Sequence, residues 1–248
     1  MTARLKQTAT DMLNFKQFCR EIAFDKHDFY RSVFHHHKFQ IRNERIAIKR
    51  LERICEATFA LANRGGFHSM TLRQLSERCE MRMGGMYAYI SSKEELAQLI
   101  YSTLNRYCQE QMNRFIDTSE NAAAQLQKTL RYHLYLSELL QPWFYFAYME
   151  ARSLNNQIHM AIESEMLMEN RITNLIKSGV KEGLFKLNND NPKQIRLNAS
   201  LIKGMLQDWY LKKGKYQKRR VSVDQYADEL IAMTFDHLKY ETLSADDD

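Results

Sequence analysis

Between Thr71 and Leu96 the chain runs TLRQLSERCEMRMGGMYAYISSKEEL, and few arrangements of a polypeptide accommodate that order. Thr71 and Gln74 have capping-box spacing, which starts a helix at about Thr71 with Leu72 and Leu75 facing inward. Ser92 and Glu95 form a second capping box and start another helix. Between the two, Met81, Met86 and Ile90 are spaced to hold a short middle helix onto its neighbours. That leaves Arg82, Met83, Gly84, Gly85, Tyr87 and Tyr89 for its outer face. A glycine inside a helix costs roughly 0.5–1 kcal/mol relative to alanine. Gly84 and Gly85 together need a reason, and a helix end that lies close against another surface, such as a DNA backbone, supplies one. A short helix set across a preceding one by a tight turn is a helix-turn-helix, whose second helix enters the major groove.

The segment from Arg45 to Leu99 resembles the DNA-binding domain of TetR-type transcriptional regulators. The matching features are a first helix from Arg45 to Asn63, the Gly65-Gly66-Phe67 turn, and Thr71-Leu72 leading Leu75. They continue with Gly84, Met86-Tyr87 and Tyr89-Ile90, and end with Ser92-Lys93-Glu94-Glu95-Leu96. The resemblance covers about a fifth of the chain. It implies that Thr71, Arg73, Gln74, Tyr87 and Lys93 position the protein on phosphates, while Arg82, Met83, Gly84, Gly85 and Tyr89 face bases or the groove floor. The chain departs from the family at three places. Glu80 stands where the family usually has Gly, Arg82 where it has Ser, and Ile90 where it often has Phe. Glu80 puts a negative charge near the expected DNA surface, and Arg82 is placed to offset it.

The net charge of +6 is not spread evenly. The first fifty residues hold eleven Lys or Arg against five Asp or Glu, and the remainder holds 25 of each. A local basic surplus leading into a DNA-binding helix attracts polyanions, with strong salt dependence; the plainer reading is a solvated arm. Two prolines, eight glycines and a 44% hydrophobic content suit an all-helical protein. Cys19, Cys55, Cys79 and Cys108 show no paired pattern, and Cys55 and Cys79 fall on apolar helix faces. No signal peptide and no apolar run near the length of a membrane span is present, so a reducing cytoplasm is expected, with no membrane partner and no cofactor.

The expected architecture is all-α, with an N-terminal helix-turn-helix three-helix domain followed by a helical ligand-binding and dimerisation domain. Residues 1–43 form a basic extension with one or two helices, because Phe15, Phe18, Cys19 and Ile22, then Phe29, Tyr30, Val33 and Phe34, recur at helical spacing. Residues 44–96 form the DNA-binding domain, 97–243 the ligand and dimer domain, and 244–248 an acidic tail. Helices are expected from Lys93 to Phe115, Asn121 to Leu140, Pro142 to Ser153, and Asn156 to Gly179 or Gly183. Asn191-Pro192 opens one reaching Lys213, and a Ser222–Gln225 capping box opens the last.

Enzyme motifs for phosphate cradling, zinc binding or a serine nucleophile are missing, and Glu163 and Glu165 read as a solvated face. His35, His36 and His37 invite a metal reading, but consecutive helical residues point in different directions. The run from Pro142 to Glu150 is the most aromatic in the chain. Plain core explains any one of its residues. TetR-type regulators place their inducer pocket in this region, which implies that Trp143, Phe144, Tyr145, Tyr148, Met149 and Arg152 line a site for a small hydrophobic effector, with Glu150 among its polar groups. The resemblance also implies a homodimer reading a palindromic double-stranded operator, with Ile202, Met205, Leu206 and Trp209 on one helix and Tyr226, Leu230 and Met233 on the last one at the interface. The alternative is that both stripes serve the subunit's own core. The implied function is a ligand-responsive repressor. The rival reading is a helical ligand-binding or interaction protein whose helix-turn-helix no longer binds specific DNA, and Glu80 favours it.

Overall fold

The structure is a computed structural model that describes residues 13–37, 39, 41–150, 158–187 and 189–241, without the side chains of 150 and 158–165. Arg152, residues 1–12, the acidic tail and the side chains of Glu150, Glu163 and Glu165 lie outside the described residues. Every described element longer than an isolated bridge is a helix: α1 (Phe15–Ile22), α2 (Lys26–His36), α3 (Glu44–Gly65), α4 (Leu72–Arg78), α5 (Met83–Met86), α6 (Lys93–Phe115), α7 (Ala122–Leu139), α8 (Gln141–Glu150), α9 (Ile158–Lys181), α10 (Pro192–Leu211), α11 (Lys213–Lys218) and α12 (Val223–His237).

Most helix starts follow from polar caps. Asn14, Asp25, Asn43, Asn121 and Asn191 each accept a backbone N–H of the first turn, and Pro192 follows its cap at the first helical position. Ser222 and Gln225 complete a reciprocal capping box, as their spacing predicts. The second box expected at Ser92 is only half formed. Ser92 caps Glu95 N–H at 3.1 Å, but the Glu95 carboxylate turns to the Ser91 N–H (2.5 Å) and hydroxyl (2.6 Å), which offer two donors rather than one. Helix α11 starts without a side-chain cap and lies between the helix expected to reach Lys213 and the one opened at Ser222.

Helix α3 packs with α4 and with α2, and α4 carries α5. Helices α7, α9, α10 and α12 form the C-terminal bundle, α8 touches both parts, and α6 packs on the bundle while Lys93 at its start bonds His68 in the turn after α3. The N-terminal extension lies on the body through buried rings. Phe18 meets Phe115, Tyr132 and Tyr135 at 5.3–5.5 Å, and Phe29 meets Tyr107 and Trp143 at 5.1 Å. The extension is also pinned by its backbone, because Phe15 N–H donates to the Asp224 carboxylate at 2.9 Å. That carboxylate also accepts from Tyr135, beside an Arg131–Asp228 pair at 2.6 Å.

After α9 the chain reverses at Gly183 (φ 73°) and lays Phe185 back over Gly179. A Cβ at Gly179 would sit 2.2 Å from that ring. The reversal is held by the Phe185–Tyr240 bridge and by Lys186 N–H donating to Leu238 C=O at 3.0 Å. All four cysteines are free, with Cys55 and Cys79 buried. No described helix is long and apolar enough to cross a membrane.

Candidate DNA-binding face and effector domain

Helix α4 is set by the Thr71–Gln74 capping box, with Thr71 N–H donating to Gln74 Oε1 at 2.8 Å and Gln74 N–H to Thr71 Oγ1 at 3.1 Å. The turn after it is clamped from both sides. Ser76 Oγ donates to Met81 C=O at 2.5 Å, and Met81 N–H donates to Ser76 C=O at 3.0 Å. Within this clamp Glu80 adopts a left-handed φ of 53°, the conformation that favours glycine. Its side chain is exposed.

Met86 and Ile90 are buried and hold α5 on its neighbours, with Met81 half-buried beside them. Arg82, Gly84 and Tyr87 are exposed, and Met83 and Gly85 are partly so. Nothing lies within 4 Å of a Cβ built on Gly84, and only Met81 Cε, at 3.9 Å, comes near one built on Gly85. Neither glycine has a positive φ. Neither packing within the subunit nor backbone conformation therefore demands these two glycines; the space they leave opens outward.

Tyr89 corrects the sequence reading. It is 3% exposed and packs on Phe39 at 5.8 Å, so it belongs to the core and not to the outer face. The helix ends at Met86, and the following turn rotates Tyr89 inward. Lys93 is also committed elsewhere: its ammonium donates to the carbonyl oxygens of His68 (2.6 Å) and Phe67 (3.4 Å) and so ties α6 to the turn after α3. Arg73 is exposed and pairs with Glu77 at 3.1 Å.

Three guanidiniums that the sequence reading did not single out gather here. Burial raises the Tyr89 phenol, and Arg50 beside it opposes the rise. Burial pushes the Cys79 thiol up to about 11 against the pull of Arg53 and Arg78. Arg50, Arg53 and Arg78 are all exposed, so they add positive charge beside Tyr89 and Cys79. A signal for Arg53 was the spacing Arg45, Lys49, Arg53, one turn apart on the outer side of α3.

The aromatic helix α8 is divided between two packing surfaces. Trp143 meets Phe29 and Phe59, and Phe146 meets Phe59 and Phe67 at 5.6 and 5.0 Å. Trp143 is thus a brace on the DNA-binding side rather than a pocket wall. Phe144 and Tyr148 face the bundle, against His133 (5.4 Å) and Tyr210. Tyr145 is half-buried and Met149 is 47% exposed.

The expected dimer stripes are shifted in the same way. Ile202, Leu206, Trp209 and Leu230 are all under 5% exposed and fill the subunit's own core, since α10 packs on α7, α8, α9 and α12. Met205 and Tyr226 are half-buried, and Met233 is 54% exposed. The apolar surface of α10 lies instead at Leu197 and Leu201, one turn apart and at least half exposed. His35 pairs with Glu44 and His37 approaches Thr103, so these neighbours diverge.

Comparison with known proteins matches residues 54–100 to the family described as bacterial regulatory proteins, tetR family. The HTH-type transcriptional repressor KstR of Mycolicibacterium smegmatis is 36% identical over 58 residues, 23% of this chain and 27% of that protein. KstR of Mycobacterium tuberculosis is 27% identical over 127 residues, 47% of this chain and 56% of that protein. The chain therefore spans at most about half the length of these curated relatives. Among solved structures, a tetR-family regulatory protein from Rhodococcus RHA1 superposes with a TM-score of 0.67 at 16% identity, covering 78% of this chain and 99% of that one. The transcriptional regulator FadR of Bacillus subtilis, in complex with stearoyl-CoA, gives 0.60 at 16% identity, covering 75% and 98%. Residues 54–100 thus match the tetR family of bacterial regulatory proteins, and the chain shares the fold of solved tetR-family regulators, a helix-turn-helix with a helical domain behind it.

Proposed function

We propose that this protein is a ligand-responsive DNA-binding transcriptional regulator, a repressor that holds a palindromic operator as a homodimer and is released by a small hydrophobic effector. The observation that carries the DNA-binding part is the outward gap at Gly84 and Gly85 beside the exposed Arg82. Two helical glycines with no internal use fit a surface that approaches the backbone closely. Arg82 is placed for a base edge or phosphate, and Arg50, Arg53 and Arg78 supply phosphate contacts around it. Thr71, Gln74, Arg73 and Tyr87 complete the rim. The repressor KstR supports the regulatory sense by likeness alone.

In this reading residues 44–96 bind DNA and residues 97–243 bind ligand and partner, while α1 and α2 of the extension brace the two. Leu197, Leu201, Met205, Tyr226 and Met233 form the dimer surface. Helix α6 runs through both domains, so a ligand that shifts it changes the separation of the two reading heads. Coupling of this kind is reciprocal: operator must weaken ligand binding by the factor by which ligand weakens operator binding.

The test is binding of the purified protein to the DNA upstream of its own gene and to a scrambled duplex, across a salt series. Tight binding to the native fragment alone, falling steeply with salt, is expected. Equal weak binding to both fragments refutes the reading and favours an interaction protein with a disused helix-turn-helix, the alternative to which Glu80 points.

A further inference from the structure

Residues 212–220 read Lys-Lys-Gly-Lys-Tyr-Gln-Lys-Arg-Arg, six cations with no acid among them, and they build α11 and the turn after it. Three of the six are answered by neighbouring helices. Lys212 and Lys215 pair with Asp208 of α10, and Lys213 pairs with Glu138 of α7 at 2.9 Å. These pairs fix α11 on the bundle, together with the Trp209 and Tyr216 rings stacked at 5.2 Å. The other three, Lys218, Arg219 and Arg220, are exposed and form no ion pair among the described residues. The turn holds them in place. Arg219 N–H donates to Lys215 C=O at 3.2 Å, and Val221 N–H donates to Tyr216 C=O at 3.0 Å. Arg220 sits between them at a left-handed φ of 54°, where glycine or asparagine is the usual choice.

The bundle has two ends, and α11 is at the one that carries the DNA-binding helices. Helix α6 starts at Lys93, tied to the turn after α3, and runs away from it to Phe115. Helix α7 returns from Ala122 to Leu139 and meets α8, which packs on α3. Glu138, the partner of Lys213, is in the last turn of α7. The Gln141 side chain at the start of α8 donates to Tyr210 C=O at 3.2 Å, just ahead of α11. The far end instead holds Phe115 and the Gly183 reversal, where Ala122 N–H donates to Glu182 at 2.9 Å. The dimer surface given above lies on α10 and α12, and α11 is the connection between those two helices. A two-fold axis through α10 and α12 therefore sets two copies of α11 side by side, between the two helix-turn-helix heads.

We propose that Lys218, Arg219 and Arg220 are a second DNA-binding surface, which meets the phosphates at the centre of the operator between the half-sites. The inference rests on the DNA-binding and dimer reading given above. A duplex is the partner that fits, because its backbone is a continuous row of anions that guanidiniums grip bidentately. Residues 211–222 expose no large apolar side chain, which an interfacial membrane helix or the core of a protein interface requires. Phosphate contacts carry no sequence information, so α11 adds affinity without changing which site is read.

The test is binding of the full chain to labelled DNA from upstream of its gene and to the scrambled duplex, by fluorescence anisotropy across a salt series. One variant combines Lys218→Gln, Arg219→Gln and Arg220→Gln. Another removes the same charge at the far end of the bundle through Lys177→Gln, Lys181→Gln and Lys193→Gln, all exposed. Three charges from each protomer, at about 0.9 per phosphate, can lower the slope of log affinity against log salt by up to about 5. The α11 variant is expected to lose at least about 2 of slope and about tenfold or more in affinity, while its preference for the native fragment stays within about threefold. The far-end variant should keep its slope within about 1. Unfolding temperatures are measured alongside; should the triple variant not fold, Arg219→Gln alone should lower the slope by about 1–2. An unchanged slope in the α11 variant, or an equal loss in the far-end variant, overturns the second surface and leaves the helix-turn-helix reading standing. An unaltered protein that shows no preference for the native fragment overturns that reading and this one with it.

Discussion

Replacing Gly84 and Gly85 by alanine should move stability and DNA affinity in opposite directions. In the free protein a Cβ at Gly84 enters open space, and one at Gly85 makes only an ordinary contact with Met81 at 3.9 Å. Each substitution removes backbone entropy from the unfolded chain without strain, which stabilises by about 0.5 kcal/mol per site in so short a helix. The pair therefore contributes about 1 kcal/mol, or roughly 2–4 °C in unfolding temperature for a chain of this size. On DNA the same two methyl groups occupy the gap through which the backbone approaches. Pushing α5 outward by the radius of a methyl group weakens contacts worth about 1–3 kcal/mol in each half-site. A dimer carries the loss twice, so operator affinity should fall by at least about 30-fold. Thermal unfolding and fluorescence anisotropy with a labelled operator at fixed salt measure the two effects separately. An alanine pair that binds operator as tightly as the unaltered protein refutes the close-approach argument. A fall in unfolding temperature refutes the claim that the gap has no internal use.

Glu80→Gln should strengthen DNA binding by removing a charge without changing unfolding temperature, whereas Glu80→Gly should also raise that temperature by about 1–3 °C through relief of the left-handed backbone; loss of affinity in either variant would show that the carboxylate does not oppose DNA. Gly179→Ala should lower unfolding temperature by about 4–8 °C, because its Cβ meets the Phe185 ring at 2.2 Å, and Phe185→Leu in the same chain should recover part of the loss. Leu201→Glu places a charge in the exposed stripe of α10 and should convert a dimer to monomer by light scattering, with operator affinity falling by orders of magnitude; an unchanged mass would move the interface elsewhere.

Local chemistry was legible in the sequence; the choice between two packing surfaces was not. Asn121, Asn191, Ser222 and Thr71 marked helix starts because a cap is a bond between residues two or three apart. Tyr89 was placed outward by helical period, but the period ends with α5 at Met86 and the turn has none. Ile202, Leu206 and Trp209 form a true apolar stripe, yet in sequence such a stripe looks the same whether it meets the subunit's own bundle or a partner. Only burial separates that stripe from Leu197 and Leu201. Arg53 and Arg78 escaped notice because they come from different helices, α3 and α4, and approach the same Cys79 only in the fold.

Helix α8 carries the argument for coupling in two adjacent residues. Trp143 is lodged among Phe29 and Phe59, on the side of the DNA-binding helices. Phe144 points the other way, onto His133 and Tyr210 in the C-terminal bundle. A helix cannot turn one of these neighbours without turning the other, so any ligand that repacks Phe144 loads Trp143. The loading matters only if the ligand binds one position of α8 better than the other, and the shift it produces is limited by that difference. Trp143→Phe keeps an aromatic ring in the Phe29–Phe59 cleft but shortens the lever. It should leave effector affinity and ligand-free operator affinity within about threefold of the unaltered protein, a loss below 1 kcal/mol each. The ratio of operator affinities without and with the effector should shrink by more than either. An unchanged ratio would mean that the signal bypasses α8 and travels along α6 alone.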